Sequence, residues 1–192
     1  MPASSCFELS KEARSQLLKM VWQVLDDAMK GSGMQLPSEP SNQELLEPAA
    51  CFVTLHHNGE LRGCIGSLEA QEPLWLNACK NAYASGYKDR RFQPLTLADR
   101  SGLSLEISVL SELVPMNNEG EAALLRELRP DIDGLLLEEG SHRSVFLPSV
   151  WELLPTPEKF VQALKRKGGW LETYWSEDIS LHRFTTVVIE DS

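Results

Sequence analysis

The stretch Cys51-Phe-Val-Thr-Leu-His-His57, followed by Asn58-Gly59 and then Glu60-Leu-Arg-Gly-Cys-Ile-Gly66, decides how this chain begins its fold. An Asn-Gly pair between two β-patterned runs is the strongest short signal for a β-hairpin, because a two-residue type I′ turn needs positive φ at both positions. The sequence therefore predicts two antiparallel strands joined by a tight turn.

A two-residue turn also predicts the register of the hairpin. Antiparallel partners add up to a constant residue number, so Val53 is predicted opposite Cys64. On this register Arg62 and Cys64 share a face with His57, while His56 points to the other face. His57 then lies more than about 10 Å along the strand from Cys64, which argues against a local Cys-His dyad.

The flanking segments alternate between helix and strand patterns and contain no internal repeat. Apolar residues recur at helical spacing from Leu17 to Met29, with Ser10 suited to cap the start of a helix and Gly31 to end it. Leu103–Val109 alternates apolar and polar residues, which predicts a half-buried strand. Further predicted elements are a helix over 74–86, a short helix over 120–128, a hairpin joining 134–138 to 144–148, a helix opened by Thr156 and closed by Gly168, and a β-rich run over 181–190.

These elements indicate an α+β fold with a mixed, largely antiparallel sheet and flanking helices. The length of 192 residues and the hydrophobic content of 42% suit one sizeable core and are short for two full domains. We expect a single domain over residues 1–192, with a larger and a smaller lobe.

Charge and cysteine content exclude several classes of protein. A formal net charge of −10 with scattered Lys and Arg argues against an extended nucleic-acid surface. The four cysteines form no CxxC pair, so neither a structural zinc site nor a disulfide framework is predicted. No export signal and no run of about 18 apolar residues occurs, so we expect a cytoplasmic protein without a membrane segment.

Motifs of the common cofactor-dependent enzymes are missing as well. The sequence has no GxxxxGK[ST], no GxGxxG opening a helix, no HExxH and no GxSxG. We therefore predict neither a metal nor a cofactor.

Cys64 is a weak catalytic candidate. Gly63 and Gly66 beside it would let a substrate approach closely, and Arg62 could stabilise its thiolate form. The simpler explanation is a small buried thiol, with glycines that let a helix pack tightly.

We predict that Arg62 lines a pocket for a small anion, because a guanidinium group is suited to bind a carboxylate or a phosphate. An internal ion pair with Glu106 or Asp89 would explain it equally well. Asp89 and Arg91 could anchor an anion or form a structural pair, and Glu106 could line a cleft or meet water. The predicted ligand-binding residues are Arg62, Gly63, Cys64, Gly66, Asp89, Arg91 and Glu106.

The hexapeptide Leu61–Gly66 resembles the signature of the AMME domain family, also called AmmeMemoRadiSam system protein A. Further stretches resemble the family in the same order, and together they cover nearly the whole chain: Phe52–Leu55, Asp89–Leu95, Ile107–Ser111, Asp133–Leu137, Phe146–Pro148 and Lys165–Gly168. Lys167-Gly-Gly-Trp170 departs from the Lys-Ala-Gly-Leu expected at that point. The ordered set is far more specific than any one of its members.

The resemblance implies a two-lobed α+β protein with a cleft beside Leu61–Gly66, and it assigns no catalytic residue. In microbes it implies a system with a Memo-like protein and a radical S-adenosylmethionine protein as partners. The first hypothesis is therefore an accessory or substrate-handling protein that binds a small anionic ligand or a partner segment in this cleft. An enzyme that uses Cys64 as a thiolate nucleophile and a structural interaction module are the alternatives, so enzymatic activity is left open.

Overall fold

The computed structural model describes residues 8–191. The chain divides into two compact units: the first runs to Leu110 and resumes at Val187, and the second is Ser111–Thr186. The α+β class is confirmed, with the strands in two four-stranded sheets rather than in one. The single domain with a larger and a smaller lobe stays a prediction.

The first unit contains a sheet with the strand order β2-β1-β3-β8 and two long helices. Both the β1–β2 and the β1–β3 pairs are antiparallel. The elements are α1 (Lys11–Asp27), β1 (Cys51–His57), β2 (Glu60–Gly66), α2 (Leu74–Tyr87), β3 (Leu103–Leu110) and β8 (Thr186–Glu190).

Helix α1 begins where the sequence predicts, but it ends at Asp27, four residues before the predicted stop at Gly31. The Ser10 hydroxyl caps its start by accepting a hydrogen bond from the Ala13 backbone N–H at 3.2 Å. A wider helical turn, Ala28–Ser32, follows the helix, and there Gly31 adopts a φ of 91° that glycine accommodates without strain.

One face of the first sheet forms the apolar core of this unit. Val53 and Leu55 of β1 and Ile107 of β3 are fully buried together with apolar residues of α1 and α2. Each such side chain contributes about 1.5–3 kcal/mol when it leaves water. Successive residues of a strand point to opposite faces, so Thr54 and Glu106 lie on the face away from this core.

The hairpin turn is confirmed, because Asn58 and Gly59 have φ values of 54° and 84° and His57 lies opposite Glu60. The predicted register is also confirmed for His56 opposite Leu61, and it is wrong from Leu55 onward. A register shift next to Leu55 leaves Arg62 as an extra residue in β2, so that Thr54 lies opposite Cys64.

Helix α2 explains this β-bulge. A Cβ atom at Gly63 would lie 2.1 Å from the backbone oxygen of Ser85 in α2. The residue of β2 that faces α2 must therefore be a glycine, and the shift of one residue brings Gly63 to that position. Without the shift, Arg62 and Cys64 would share the face of Val53, which packs into the apolar core.

Ser85 also joins the two strands of the hairpin. Its buried hydroxyl accepts a hydrogen bond from the Ile65 backbone N–H at 2.9 Å and donates one to the Val53 backbone oxygen at 2.7 Å. Val53 and Ile65 are register partners, so the hydroxyl bridges the strands at that pair. Helix α2 is thus connected to the hairpin through polar contacts as well as through packing.

The second unit has a sheet with the strand order β4-β7-β5-β6, in which every adjacent pair is antiparallel. Its core contains Trp151 and Phe160, whose rings stack at 3.9 Å, and the predicted hairpin and helices are confirmed. The β-rich run at the end of the chain forms two strands, β7 and β8, that belong to different sheets. The elements are β4 (Val114–Met116), α3 (Glu121–Glu127), β5 (Gly134–Glu139), β6 (His142–Phe146), α4 (Pro157–Lys167) and β7 (Ser180–Phe184).

Candidate functional site

Three polar side chains form a row across adjacent strands of the first sheet. Cys64 of β2 lies opposite Thr54 of β1, which lies opposite Glu106 of β3. All three are half-buried and lie on the face away from the apolar core. The Thr54 hydroxyl donates a hydrogen bond to the Cys64 Sγ at 3.4 Å, and the Ser108 hydroxyl donates one to Glu106 Oε1 at 2.8 Å. We call this row and Ser108 the polar face.

The backbone of Cys64 is held on both sides by charged side chains. Its N–H donates to Asp89 Oδ2 at 3.0 Å, and its carbonyl oxygen accepts from Arg91 Nη2 at 3.4 Å. These contacts leave the Cys64 side chain directed at the polar face.

Asp89 and Arg91 are also bound to each other. Arg91 Nε donates to Asp89 Oδ1 at 3.0 Å and Nη2 donates to Oδ2 at 2.7 Å. The hydrogen bond from Arg91 holds the pKa of the Asp89 carboxyl well below its usual range, against the effect of burial and with help from the Cys64 backbone N–H. The same pairing raises the pKa of Arg91. The structure thus brings the three residues together: Asp89 and Arg91 form a structural ion pair, and this pair binds the backbone of Cys64 in β2.

Arg62 lies apart from this group. As the extra residue of the bulge, it places Nη2 3.7 Å from Asp99 Oδ2 and 3.4 Å from the Pro94 backbone oxygen. The internal ion pair considered for Arg62 is therefore with Asp99, and not with Glu106 or Asp89. Its Nη1 and the Tyr87 hydroxyl are buried without a hydrogen-bond partner among residues 8–191.

Gly63 and Gly66 each allow a neighbouring group to pack closely against β2. Gly63 lies against the backbone of α2, and a Cβ atom at Gly66 would lie 2.2 Å from the ring of Phe52, its register partner in β1. Both contacts favour the packing explanation over close approach of a substrate.

The bulge also changes which histidine accompanies Cys64. His56 lies on the face of Thr54 and is a diagonal neighbour of Cys64, at a Cα separation of about 7–8 Å. His57, which the predicted register placed beside Cys64, instead contacts the Ser101 backbone oxygen through Nε2 at 3.1 Å. The argument against a local Cys-His dyad therefore loses its geometric basis.

The other described cysteines differ from Cys64 in exposure. Cys51 and Cys79 are buried, and burial raises the pKa of each thiol to about 12. Within residues 8–191, no group of three His, Cys, Asp or Glu side chains is placed to hold a metal ion, and no helix is long and apolar enough to cross a membrane.

Sequence analysis missed several residues that shape this site. Ser85 lies inside a predicted helix and Asp99 outside every predicted element, and neither belongs to a motif that marks it as part of a site. The alternation of β1 already placed Thr54 and His56 on one face, so the register alone hid their proximity to Cys64.

The AMMECR1 family model matches residues 18–189, which include most of the first unit and all of the second. The chain belongs to the AMMECR1 family. A Methanocaldococcus jannaschii protein is 31% identical over 88% of this chain and 85% of its own length, and a Thermotoga maritima protein is 30% identical over 88% and 93%. The crystal structure of an uncharacterized Pyrococcus horikoshii protein, 27% identical, matches with a TM-score of 0.87 over 96% of this chain and 94% of that one.

The AMMECR1 match includes the bulged strand β2 and all the residues of the polar face. It agrees with the family predicted from the hexapeptide Leu61–Gly66 and the stretches that follow it.

Proposed function

We propose that this AMMECR1-family chain is a binding protein, which holds a small polar ligand or an extended segment of a partner protein against its polar face. The observation that carries the proposal is the row of Cys64, Thr54 and Glu106 across three strands. Packing of the first unit accounts for Gly63, Gly66 and Ser85, but it gives no reason for three half-buried polar side chains in one row.

Glu106 determines the chemistry of the ligand in this proposal. One carboxylate oxygen accepts from Ser108, and no Lys, Arg or His of residues 8–191 lies within 4.0 Å of the group. A half-buried carboxylate whose second oxygen accepts no hydrogen bond from residues 8–191 suits a ligand that donates N–H or O–H groups.

The anionic ligand expected from the sequence has weaker support. It depended on Arg62 and Arg91, and each of these guanidinium groups already pairs with a carboxylate. Arg91 is more than half exposed and has N–H groups beyond those used by Asp89, so an anionic group at the rim of the polar face is compatible with the proposal.

The test is thermal unfolding in the presence of a panel of amines, amino acids, nucleosides and small carboxylates. A ligand at a hundred times its Kd stabilises the folded chain by about 2.7 kcal/mol, which raises Tm by roughly 5–11 °C at this size. We expect a compound with N–H or O–H donors to raise the Tm of the wild-type chain and to have little effect on Glu106→Gln. The control is Glu60→Gln, an exposed glutamate of β2. An equal Tm shift in Glu106→Gln would contradict the proposal.

We further propose, from family membership, that the chain is a cytoplasmic accessory protein of a system with a Memo-like and a radical S-adenosylmethionine protein. The cleft beside Leu61–Gly66 stays a prediction of the same kind. The association is tested by a pull-down, in which the chain is immobilised and the Memo-like and radical S-adenosylmethionine proteins of the same organism are applied to it. Loss of the complex in Glu106→Gln would place the partner at the polar face, and absence of any complex would remove this part of the proposal.

A thiol enzyme is the second candidate, and the position of His56 favours it. His56 is a diagonal neighbour of Cys64 on the polar side of the sheet. After rotation of the two side chains, the His56 imidazole can approach the Cys64 thiol and act as its general base. Alkylation of Cys64 against pH, in a Cys6→Ser background, distinguishes the candidates. A reaction rate that varies with pH in the wild-type chain and loses that variation in His56→Asn would favour the enzyme.

A further inference from the structure

Every edge strand of a β-sheet presents backbone N–H and C=O groups to solvent, and an unprotected edge pairs with other chains. The four edge strands among residues 8–191 differ in how they are protected. Strand β4 is three residues long and contains Pro115, and the carbonyl oxygen of Val145 in β6 accepts from Lys167 Nζ at 2.8 Å. Strands β8 and β2 each carry one exposed glutamate at an end, Glu190 and Glu60.

Strand β2 is the longest of these edges, with seven residues. It contains no proline, and its cationic side chain, Arg62, folds back to Asp99 and is only 16% exposed. The half of the strand from Gly63 to Gly66 has no charged side chain of its own. This part of the edge needs another form of protection.

The pair of Asp89 and Arg91 supplies it. Asp89 accepts the Cys64 N–H and Arg91 donates to the Cys64 carbonyl oxygen, which are the two contacts that a neighbouring strand would make. The Asp89 carboxylate is fixed in this position because it accepts from the Arg91 backbone N–H at 3.1 Å as well as from the Arg91 guanidinium. The Asp89 side chain is only 6% exposed. Arg91 is 57% exposed and places a charge beside the edge.

We propose that the Asp89–Arg91 pair closes the β2 edge of the first sheet and prevents two copies of this chain from pairing edge to edge at Gly63–Gly66. The pair satisfies the backbone of Cys64 with side chains and thereby leaves an incoming strand without partners at the centre of the segment. This role is independent of ligand binding at the polar face.

The test is sedimentation of the purified chain over a wide concentration range. We expect Asp89→Ala to self-associate at a concentration at least tenfold lower than the wild-type chain does. Hydrogen exchange should show the Cys64 amide protected in the associated form and exposed in the dilute form. Arg91→Ala keeps the Asp89 carboxylate on the Cys64 N–H and should associate to an intermediate extent. If Asp89→Ala does not fold, the self-association of Arg91→Ala tests the proposal by itself.

The matched control is Asp133→Ala. Asp133 accepts from Nε and Nη2 of Arg129, and from its backbone N–H, in the same chemical arrangement, but it precedes β5, an interior strand. Unchanged sedimentation of both Asp89→Ala and Arg91→Ala would overturn the proposal. Association of Asp133→Ala to the same extent, or protection of amides elsewhere than in β2, would also overturn it.

Discussion

Ser85→Ala should remove the hydroxyl bridge between helix α2 and the hairpin while their packing remains. The substitution removes the hydroxyl that accepts from the Ile65 N–H and donates to the Val53 carbonyl oxygen. Ser85 is only 1% exposed, so little water can replace the hydroxyl. A direct bond between the strands would require them to move together, and the backbone of α2 lies against Gly63 at this point.

The magnitude follows from the two backbone groups that lose a partner. A buried unsatisfied donor or acceptor costs about 1–3 kcal/mol, and partial relaxation of the strands reduces the sum. We expect Ser85→Ala to lower the free energy of unfolding of the first unit by about 2–4 kcal/mol. Ser104→Ala is the control, because Ser104 is an exposed serine of β3 in the same sheet.

The assay is hydrogen exchange resolved by residue, combined with urea unfolding, because the two units need not unfold together. The Ile65 amide should exchange much faster in Ser85→Ala and at the wild-type rate in Ser104→Ala. A loss of stability below about 0.5 kcal/mol, with the Ile65 amide still protected, would refute the bridging role of the hydroxyl.

Three further outcomes are expected. Gly63→Ala should destabilise the first unit by about 3 kcal/mol or more in urea unfolding, because its Cβ would lie 2.1 Å from the Ser85 backbone oxygen, and a loss below 1 kcal/mol would contradict this contact. The depressed pKa of Asp89 contributes stability that is complete above the unfolded pKa of about 3.9 and is lost as pH falls below it, so Asp89→Asn should flatten the acid limb of the stability curve. In a Cys6→Ser background, alkylation followed by mass spectrometry should modify Cys64 first, since the raised thiol pKa of about 12 and burial protect Cys51 and Cys79.

Local signals were sufficient for most elements of the fold. The Asn58-Gly59 turn depends on two residues that accept positive φ, and the start of α1 depends on one hydroxyl at Ser10, so both are visible in the sequence. The strand Leu103–Leu110 shows its burial as alternation of apolar and polar residues.

The register of the hairpin depends on contacts between distant parts of the chain. Gly63 must face Ser85, which lies on another element, and no periodicity within β2 reveals this requirement. The bulge that results moves Cys64 to the side of Thr54 and His56 and turns Arg62 to Asp99. The candidate residues were therefore recognisable by type, while their grouping was not, because one inserted residue reverses every later side chain.

The most direct test of the proposed binding face is the Kd of the compound that most raises the Tm of the wild-type chain, measured by titration calorimetry for three chains. The account predicts that Glu106→Gln weakens binding at least tenfold, or about 1.4 kcal/mol, while Glu60→Gln binds as the wild-type chain does. The same Kd for Glu106→Gln and the wild-type chain would contradict a binding site on the polar face.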